Sequence, residues 1–259
     1  MTQPVRITAP AARRYLVLRH LLAPPRALPP GPESVMAVFD RLGSIQFDPI
    51  DVAGRNHDLV LLARIDGYRR EDTEALLYGE RRYETYNKGL SLVPTAELPW
   101  YRLTWDAFAA GDHARTTFDT HRELVDELMT RIRESGPLSS SHVEPREAIE
   151  WYWRPTNQVR AVLEALAQAG VLGLARRDGN RRLYDLAERL FPADLLARRP
   201  PEREQRRHRL LSRYRAHGLL PSGGAQGELW IGTGAADVRR QLHTELVGSG
   251  SLVPVAVEG

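Results

Sequence analysis

The 259-residue chain contains no cysteine. That excludes a thiolate nucleophile, a cysteine-bound zinc or iron–sulfur site and a disulfide scaffold. Lysine is nearly absent as well: of 36 basic residues only Lys88 is a lysine, and the other 35 are arginines. A Schiff-base mechanism therefore has one side-chain amine to draw on. Long apolar runs are missing too, since the longest, such as Leu59 to Ala63, cover five residues and Arg13, Arg14 and Arg19 interrupt the N-terminal stretch. Neither a membrane span nor a signal peptide is expected, and the expected compartment is the cytoplasm. There is no Gly-x-Ser-x-Gly elbow, no Walker loop and no paired-histidine helix motif. Gly232-Thr233-Gly234 lacks the third glycine and the preceding strand of a dinucleotide site. The eight histidines are scattered, so no metal and no cofactor are expected.

What is present is the material of a globular protein of one to three domains, 42% hydrophobic and 27% charged. The net charge of +3 conceals an uneven distribution. From Ala175 to Arg215 there are 13 arginines and 6 acidic residues, a local net of +7, which leaves the remainder at −4. Arginine suits forked contact with phosphate better than lysine does. An arginine-favouring codon usage explains the bias over lysine but not the clustering.

Periodicity divides the chain into three units, 1–117, 118–199 and 200–259. In the first, a helix over Ala11 to Leu22 meets a proline-rich loop. Helical spacing resumes at Val35, Val38, Phe39 and Leu42, with Gly43 where a C-terminal cap belongs. In Ile45-Gln46-Phe47-Asp48 the apolar residues alternate with polar ones, so a strand places Ile45 and Phe47 on one face and Gln46 and Asp48 on the other. Pro49 stops it. Helices follow at Asp58 to Ala63 and Thr73 to Gly79, the second capped by Asp72.

The second unit reads helix, helix, helix, hairpin, the winged-helix order. A helix over His121 to Arg133 ends at Ser135-Gly136-Pro137, and Ser139 to Ser141 cap a short helix. After Trp151 to Trp153, Pro155 sits at a first helical position, and Val159, Val162, Leu163 and Leu166 form a buried face. Asn157, Gln158 and Arg160 lie off that face and are candidates for base or phosphate contact. Strands at Val171 to Ala175 and Arg182 to Leu186 flank an Asp-Gly turn. That hairpin carries Arg176, Arg177, Arg181 and Arg182, candidates for phosphate contact. The third unit has an arginine-rich helix over Glu202 to His217, a helix over Ala235 to Leu246, and Leu252 to Val257 as a first wing strand with no return strand, so a truncated winged helix is expected there.

The segment Leu42 to Arg64, Leu-Gly-Ser-Ile-Gln-Phe-Asp-Pro-Ile-Asp-Val-Ala-Gly-Arg-Asn-His-Asp-Leu-Val-Leu-Leu-Ala-Arg, resembles the signature of the winged-helix DNA glycosylases of the AlkZ and YcaQ family. The resemblance continues through Tyr83-Glu84 to Ser91-Leu92-Val93-Pro94, Gly136-Pro137-Leu138-Ser139, Trp151-Tyr152-Trp153-Arg154-Pro155 and the wing ending Arg182-Leu183-Tyr184-Asp185-Leu186. It covers most of the chain. Gln46 and Asp48 match the family's catalytic Gln-x-Asp pair, the form typical of its YcaQ-like branch. Arg55, Asn56 and His57 lie in the same signature and are DNA-contact candidates.

The resemblance implies a mainly α fold of tandem winged-helix domains with small β-hairpins, followed by a C-terminal β domain that is expected to be missing from this sequence. It also implies excision of N7-alkylguanine and unhooking of interstrand crosslinks in double-stranded DNA by a monomer associated with the nucleoid. Asp48 is then the general base for a water and Gln46 its orienter. Without the resemblance, the same two residues read as hydrogen-bonding a turn before Pro49, and the whole chain as a non-enzymatic winged-helix regulator. Relatives carry a His and a Glu where this chain reads Thr85-Tyr86-Asn87-Lys88-Gly89-Leu90, so Lys88 is a further DNA-contact candidate.

Overall fold

A computed structural model describes residues 3–48, 50–76, 82–86, 90–151, 155–221 and 227–258. Pro49, Lys88 and Trp153, singled out above, lie outside the described residues, as does the expected end of the helix over Thr73 to Gly79. In chain order the elements are β1 (Val5–Thr8), α1 (Ala9–Arg19), α2 (Pro32–Leu42), β2 (Ile45–Gln46), α3 (Asn56–Leu62), α4 (Arg70–Glu74), β3 (Arg82–Tyr86) and β4 (Leu90–Pro94). A 3-10 turn at Thr95–Tyr101 leads into α5 (Arg102–Ala110), α6 (Asp112–Thr120) and α7 (Arg122–Ser135). After a 3-10 turn at Ser140–His142 come β5 (Ala148–Ile149), β6 (Thr156–Asn157), α8 (Gln158–Gln168), β7 (Leu172–Asp178) and β8 (Arg181–Leu186). The last elements are α9 (Ala187–Leu190), α10 (Ala193–Ala197), α11 (Glu202–His217), a 3-10 turn at Gly227–Trp230, α12 (Ala236–Gly248) and β9 (Val255–Glu258). The fold is mainly helical with small sheets.

Compactness does not follow sequence order. One unit gathers residues 1–75, 86–94 and 200–259, the other residues 76–85 and 95–199. In the first unit, α2 buries Val35, Val38 and Phe39 completely. Its last turn is closed by Gly43, whose φ of +76° is open to glycine and whose N–H reaches the Phe39 carbonyl. The reversal delivers the chain into β2, which runs antiparallel to β4 with Ile45 opposite Leu92 and Gln46 opposite Ser91. A second core joins Leu210 and Leu211 of α11 to Trp230, Leu242 and Leu246.

Two expectations in this unit are corrected. Helix α4 starts at Arg70, so Asp72 lies inside its first turn with Glu71 instead of capping it. Carboxylates in the first turn favour the positive end of a helix, which lets it begin ahead of its first apolar residue. The strand expected over Leu252 to Val257 is β9, Val255–Glu258, and among the described residues its partner is β1, paired in parallel with Val5 opposite Val255 and Thr8 opposite Glu258.

The other unit has the winged-helix order. Leu124, Leu128, Met129 and Ile132 of α7 pack with Val159, Val162, Leu163 and Leu166 of α8 and with Leu172, Tyr184 and Leu186 of the hairpin. Ser139 caps the 3-10 turn between α7 and β5, accepting from the Ser141 N–H. Pro155 does not open α8. Residues 156 and 157 pair with Ala148 and Ile149, and the Asn157 side chain caps the helix by accepting the Val159 N–H at 2.9 Å. The wing's two-residue loop is Gly179-Asn180, between Asp178 and Arg181, which face each other. Gly179 there has φ of +61°, as a tight hairpin loop requires.

Candidate active site

The alternation read from the sequence holds at β2. Ile45 and Phe47 are 4% and 5% exposed, whereas Gln46 is exposed and Asp48 half-buried. The ladder continues past the strand, since the Phe47 N–H donates to the Leu90 carbonyl at 2.8 Å. The Gln46 side chain makes no hydrogen bond to any described residue, and its amide is open to a ligand. Asp48 Oδ1 accepts the Ile50 N–H at 2.9 Å, a local turn that fixes the carboxylate's direction and leaves Oδ2 without a donor among the described residues. No hydrogen bond joins Gln46 to Asp48 directly.

The backbone beneath this pair is held by α3. Asn56 Nδ2 donates to the Gln46 carbonyl at 3.0 Å. His57 is buried, and its ring stacks on Phe47 with centroids 5.0 Å apart and planes 16° from parallel. Asn56 and His57 therefore support the strand that carries Gln46 and its continuation through Phe47 toward Asp48. Arg55 lies 3.9 Å from both Asp51 and Glu74.

Sequence reasoning passed over a second layer. Arg70 reaches both Asp51 oxygens, with Nη1 at 2.9 Å and Nη2 at 3.0 Å, while its Nε lies 3.2 Å from Asp58 Oδ2. The Tyr68 hydroxyl donates to Asp58 Oδ1 at 2.6 Å and stands 2.8 Å from Thr73 Oγ1. Burial, and then the bond to Asp58, push the Tyr68 hydroxyl well above its ordinary range. Arg70 holds the Asp51 carboxyl below the usual carboxylate range. The Asp51/Arg55 spacing of four was the one signal available, and it points along the loop, not across to Arg70.

The arginines and amides expected at a DNA interface fall into two groups. Several are engaged within the protein. Arg177 grips Glu84 through Nε and Nη2, both at 2.7 Å. Arg182 Nη1 and Arg160 Nε meet Glu164 Oε1 at 2.7 and 3.0 Å, and Trp151 Nε1 donates to Glu164 Oε2 at 2.9 Å. Gln158 Nε2 lies 2.6 Å from His121 Nδ1, and Asn157 is a helix cap. In contrast, Arg176 is exposed with no ion pair among the described residues, and Arg181 pairs only with its exposed neighbour Asp178. Half of the Arg160 side chain also remains exposed.

Among the described residues no group of three or more His, Asp or Glu could hold a metal ion, and no helix is long and apolar enough to cross a membrane. A cavity of about 1340 Å³ lies elsewhere in the same unit as Gln46, lined by Tyr15, Arg19, Leu211, Tyr214 and Leu252 among others. Neither Gln46 nor Asp48 lines it.

A family model described as DNA glycosylase AlkZ-like matches residues 39–259, a span that includes Gln46, Asp48 and the wing. Among solved structures, the DNA glycosylase AlkZ of Streptomyces sahachiroi superposes with a TM-score of 0.60 at 18% identity, covering 93% of this chain and 66% of that one. The chain thus spans just under two thirds of that structure's length, and at this identity the likeness is one of fold.

Proposed function

The chain belongs to the AlkZ-like DNA glycosylase family, and from that premise we propose that it hydrolyses the N-glycosidic bond of N7-alkylguanine in duplex DNA and unhooks interstrand crosslinks built on that base. The observation that carries the reading is the pairing of an unengaged amide at Gln46 with a half-engaged carboxylate at Asp48. Gln46 is exposed and Asp48 half-buried, while Ile45 and Phe47, which alternate with them, are buried.

The chemistry suits this small set of groups. An N7-alkylated guanine is cationic and leaves readily, so the protein has to stabilise positive charge growing on the sugar and supply a water. Asp48 Oδ2 accepts the water's proton as its oxygen bonds to C1′. The C1′–N9 electron pair leaves with the base, which departs as neutral 7-alkylguanine. Gln46 orients the water through its amide. The sugar keeps the new hydroxyl and no covalent protein–DNA bond forms. Phosphates meet the exposed guanidiniums of Arg176 and Arg181, with Arg160 as a further contact.

The test is incubation with duplexes containing N7-methylguanine or a nitrogen-mustard crosslink, followed by alkali to cut at abasic sites. Strand breaks at the lesion, lost in Asp48→Asn by about 10²- to 10⁴-fold, are the expected result. Equal rates in both proteins would remove Asp48 from the chemistry. An absence of breaks on every alkylated duplex, with tight binding to one DNA sequence, would make the protein a regulator instead.

A further inference from the structure

We propose that Arg70 is a positioning residue for Asp48, acting through Asp51; this rests on the glycosylase reading and deepens it. The turn that follows Asp48 has little else to hold it. Among the described residues, the backbone of 50–54 makes no hydrogen bond except the one from the Ile50 N–H to Asp48 Oδ1. Ile50 and Val52 are 65% and 92% exposed, so no apolar packing pins the segment either. Its side-chain tie is Asp51, gripped at two points by Arg70 and approached by Arg55 at 3.9 Å.

Arg70 is itself well anchored. It opens α4, and its Nε faces Asp58, whose other oxygen takes the Tyr68 hydroxyl. Asp58 is 6% exposed and sits in α3 beside His57, which stacks on Phe47. One guanidinium therefore ties the loop after Asp48 to the same helix that supports the strand before it. A planar fork matching both carboxylate oxygens fixes direction as well as distance, which an ammonium does not. With the loop tied at Asp51, the Ile50 N–H stays where it holds Asp48 Oδ1, and the carboxylate, Oδ2 included, keeps its orientation. Displacement of a reacting group by about 1 Å can cost about a hundredfold in rate.

Two readouts on the full chain test this. The first is single-turnover excision at saturating N7-methylguanine duplex. Arg70→Ala and Asp51→Ala should each lose about ten- to hundredfold, with the DNA Kd unchanged. The double variant should lose no more than either alone, and Arg70→Lys should recover only part. The second is NMR hydrogen exchange at the Ile50 amide, which should quicken in Arg70→Ala while core amides of α2 stay protected. Unchanged exchange at Ile50 overturns the clamp. Faster exchange with a normal excision rate, or additive losses in the double variant, overturns its role in positioning Asp48. An unmodified protein inactive on every alkylated duplex overturns the glycosylase reading and the positioning role together, and the exchange measurement then reports on the clamp alone.

Discussion

Arg177 and Glu84, 93 positions apart in sequence, face each other fork to fork, with two nitrogens each 2.7 Å from a carboxylate oxygen and side chains only 9% and 4% exposed. An arginine expected on the wing's phosphate-facing surface is instead the wing's anchor. Removing one member leaves the other charged and buried, so Arg177→Ala should cost about 3–5 kcal/mol in urea unfolding. Replacing both, as Arg177→Met with Glu84→Leu, should return most of that loss. A cost below about 1 kcal/mol for Arg177→Ala would mean that the pair is solvated in solution.

On the proposed reading, the same pairing decides which wing arginines are left for phosphate. Arg176 is exposed and Arg181 is held only by the exposed Asp178, so Arg176→Ala with Arg181→Ala should flatten the plot of log K against log salt by about two units, near 0.9 for each phosphate no longer neutralised. The Arg177→Met/Glu84→Leu protein should keep nearly the original slope. If the first protein also keeps it, the wing faces away from the duplex.

How far this was legible in the sequence depends on the distance over which each feature is decided. The burial of Ile45 and Phe47 against the exposure of Gln46, the Gly43 cap and the limits of α11 follow from neighbours within a few residues, and period and capping chemistry display them. Asn157 displaced Pro155 as the start of α8 because a strand pair with Ala148 and Ile149 extends the preceding backbone, and a two-residue strand has no period to read. The Arg70–Asp51 and Arg177–Glu84 pairs are chosen by tertiary packing among 36 basic and 33 acidic residues, with nothing local to mark the partners. The face shared by Gln46 and Asp48 is local and readable, their candidacy comes from the family resemblance, and the layer that holds them carries no local mark.

Gln46 and Asn56 separate function from stability at the site. The Gln46 side chain touches no described donor or acceptor, so Gln46→Ala should leave stability within about 0.5 kcal/mol while slowing excision. Asn56→Ala removes the bond to the Gln46 carbonyl and should cost about 1 kcal/mol. Thermal and urea unfolding beside single-turnover rates measure both. A Gln46→Ala protein as fast as the original would take Gln46 out of the mechanism.

The pH limits of the fold have identifiable sources. Burial pushes the Tyr184 hydroxyl up to about 12, opposed by the neighbouring Arg182 and reinforced by Glu164. Because the folded value is raised, the stability tied to it is complete below about pH 10 and is lost as pH climbs toward 12, by about 2–3 kcal/mol. Tyr184→Phe should remove that part of the alkaline slope. Asp51, held low chiefly by its hydrogen bond to Arg70, acts at the other limit. Its contribution is present above the ordinary carboxylate range and is lost as pH falls through the depressed folded value. Melting temperatures of Asp51→Asn and the unmodified protein should therefore converge at the acid end.

The β1–β9 ribbon has a consequence for synthesis. Val5 finds its partner at Val255, so the unit that carries Gln46 and Asp48 cannot close until some 250 residues have emerged. The winged-helix unit is complete by residue 199. At about 5–20 residues per second the ribosome needs roughly 3–12 s more to deliver what the first unit is waiting for. During that interval Ile45 and Phe47 have their β4 partner, while the helices of 200–259 and the closing strand are still missing. Synthesis therefore supplies the residues of the winged-helix unit before β9, the last of the described strands to leave the ribosome, is available to the unit that carries the proposed chemistry.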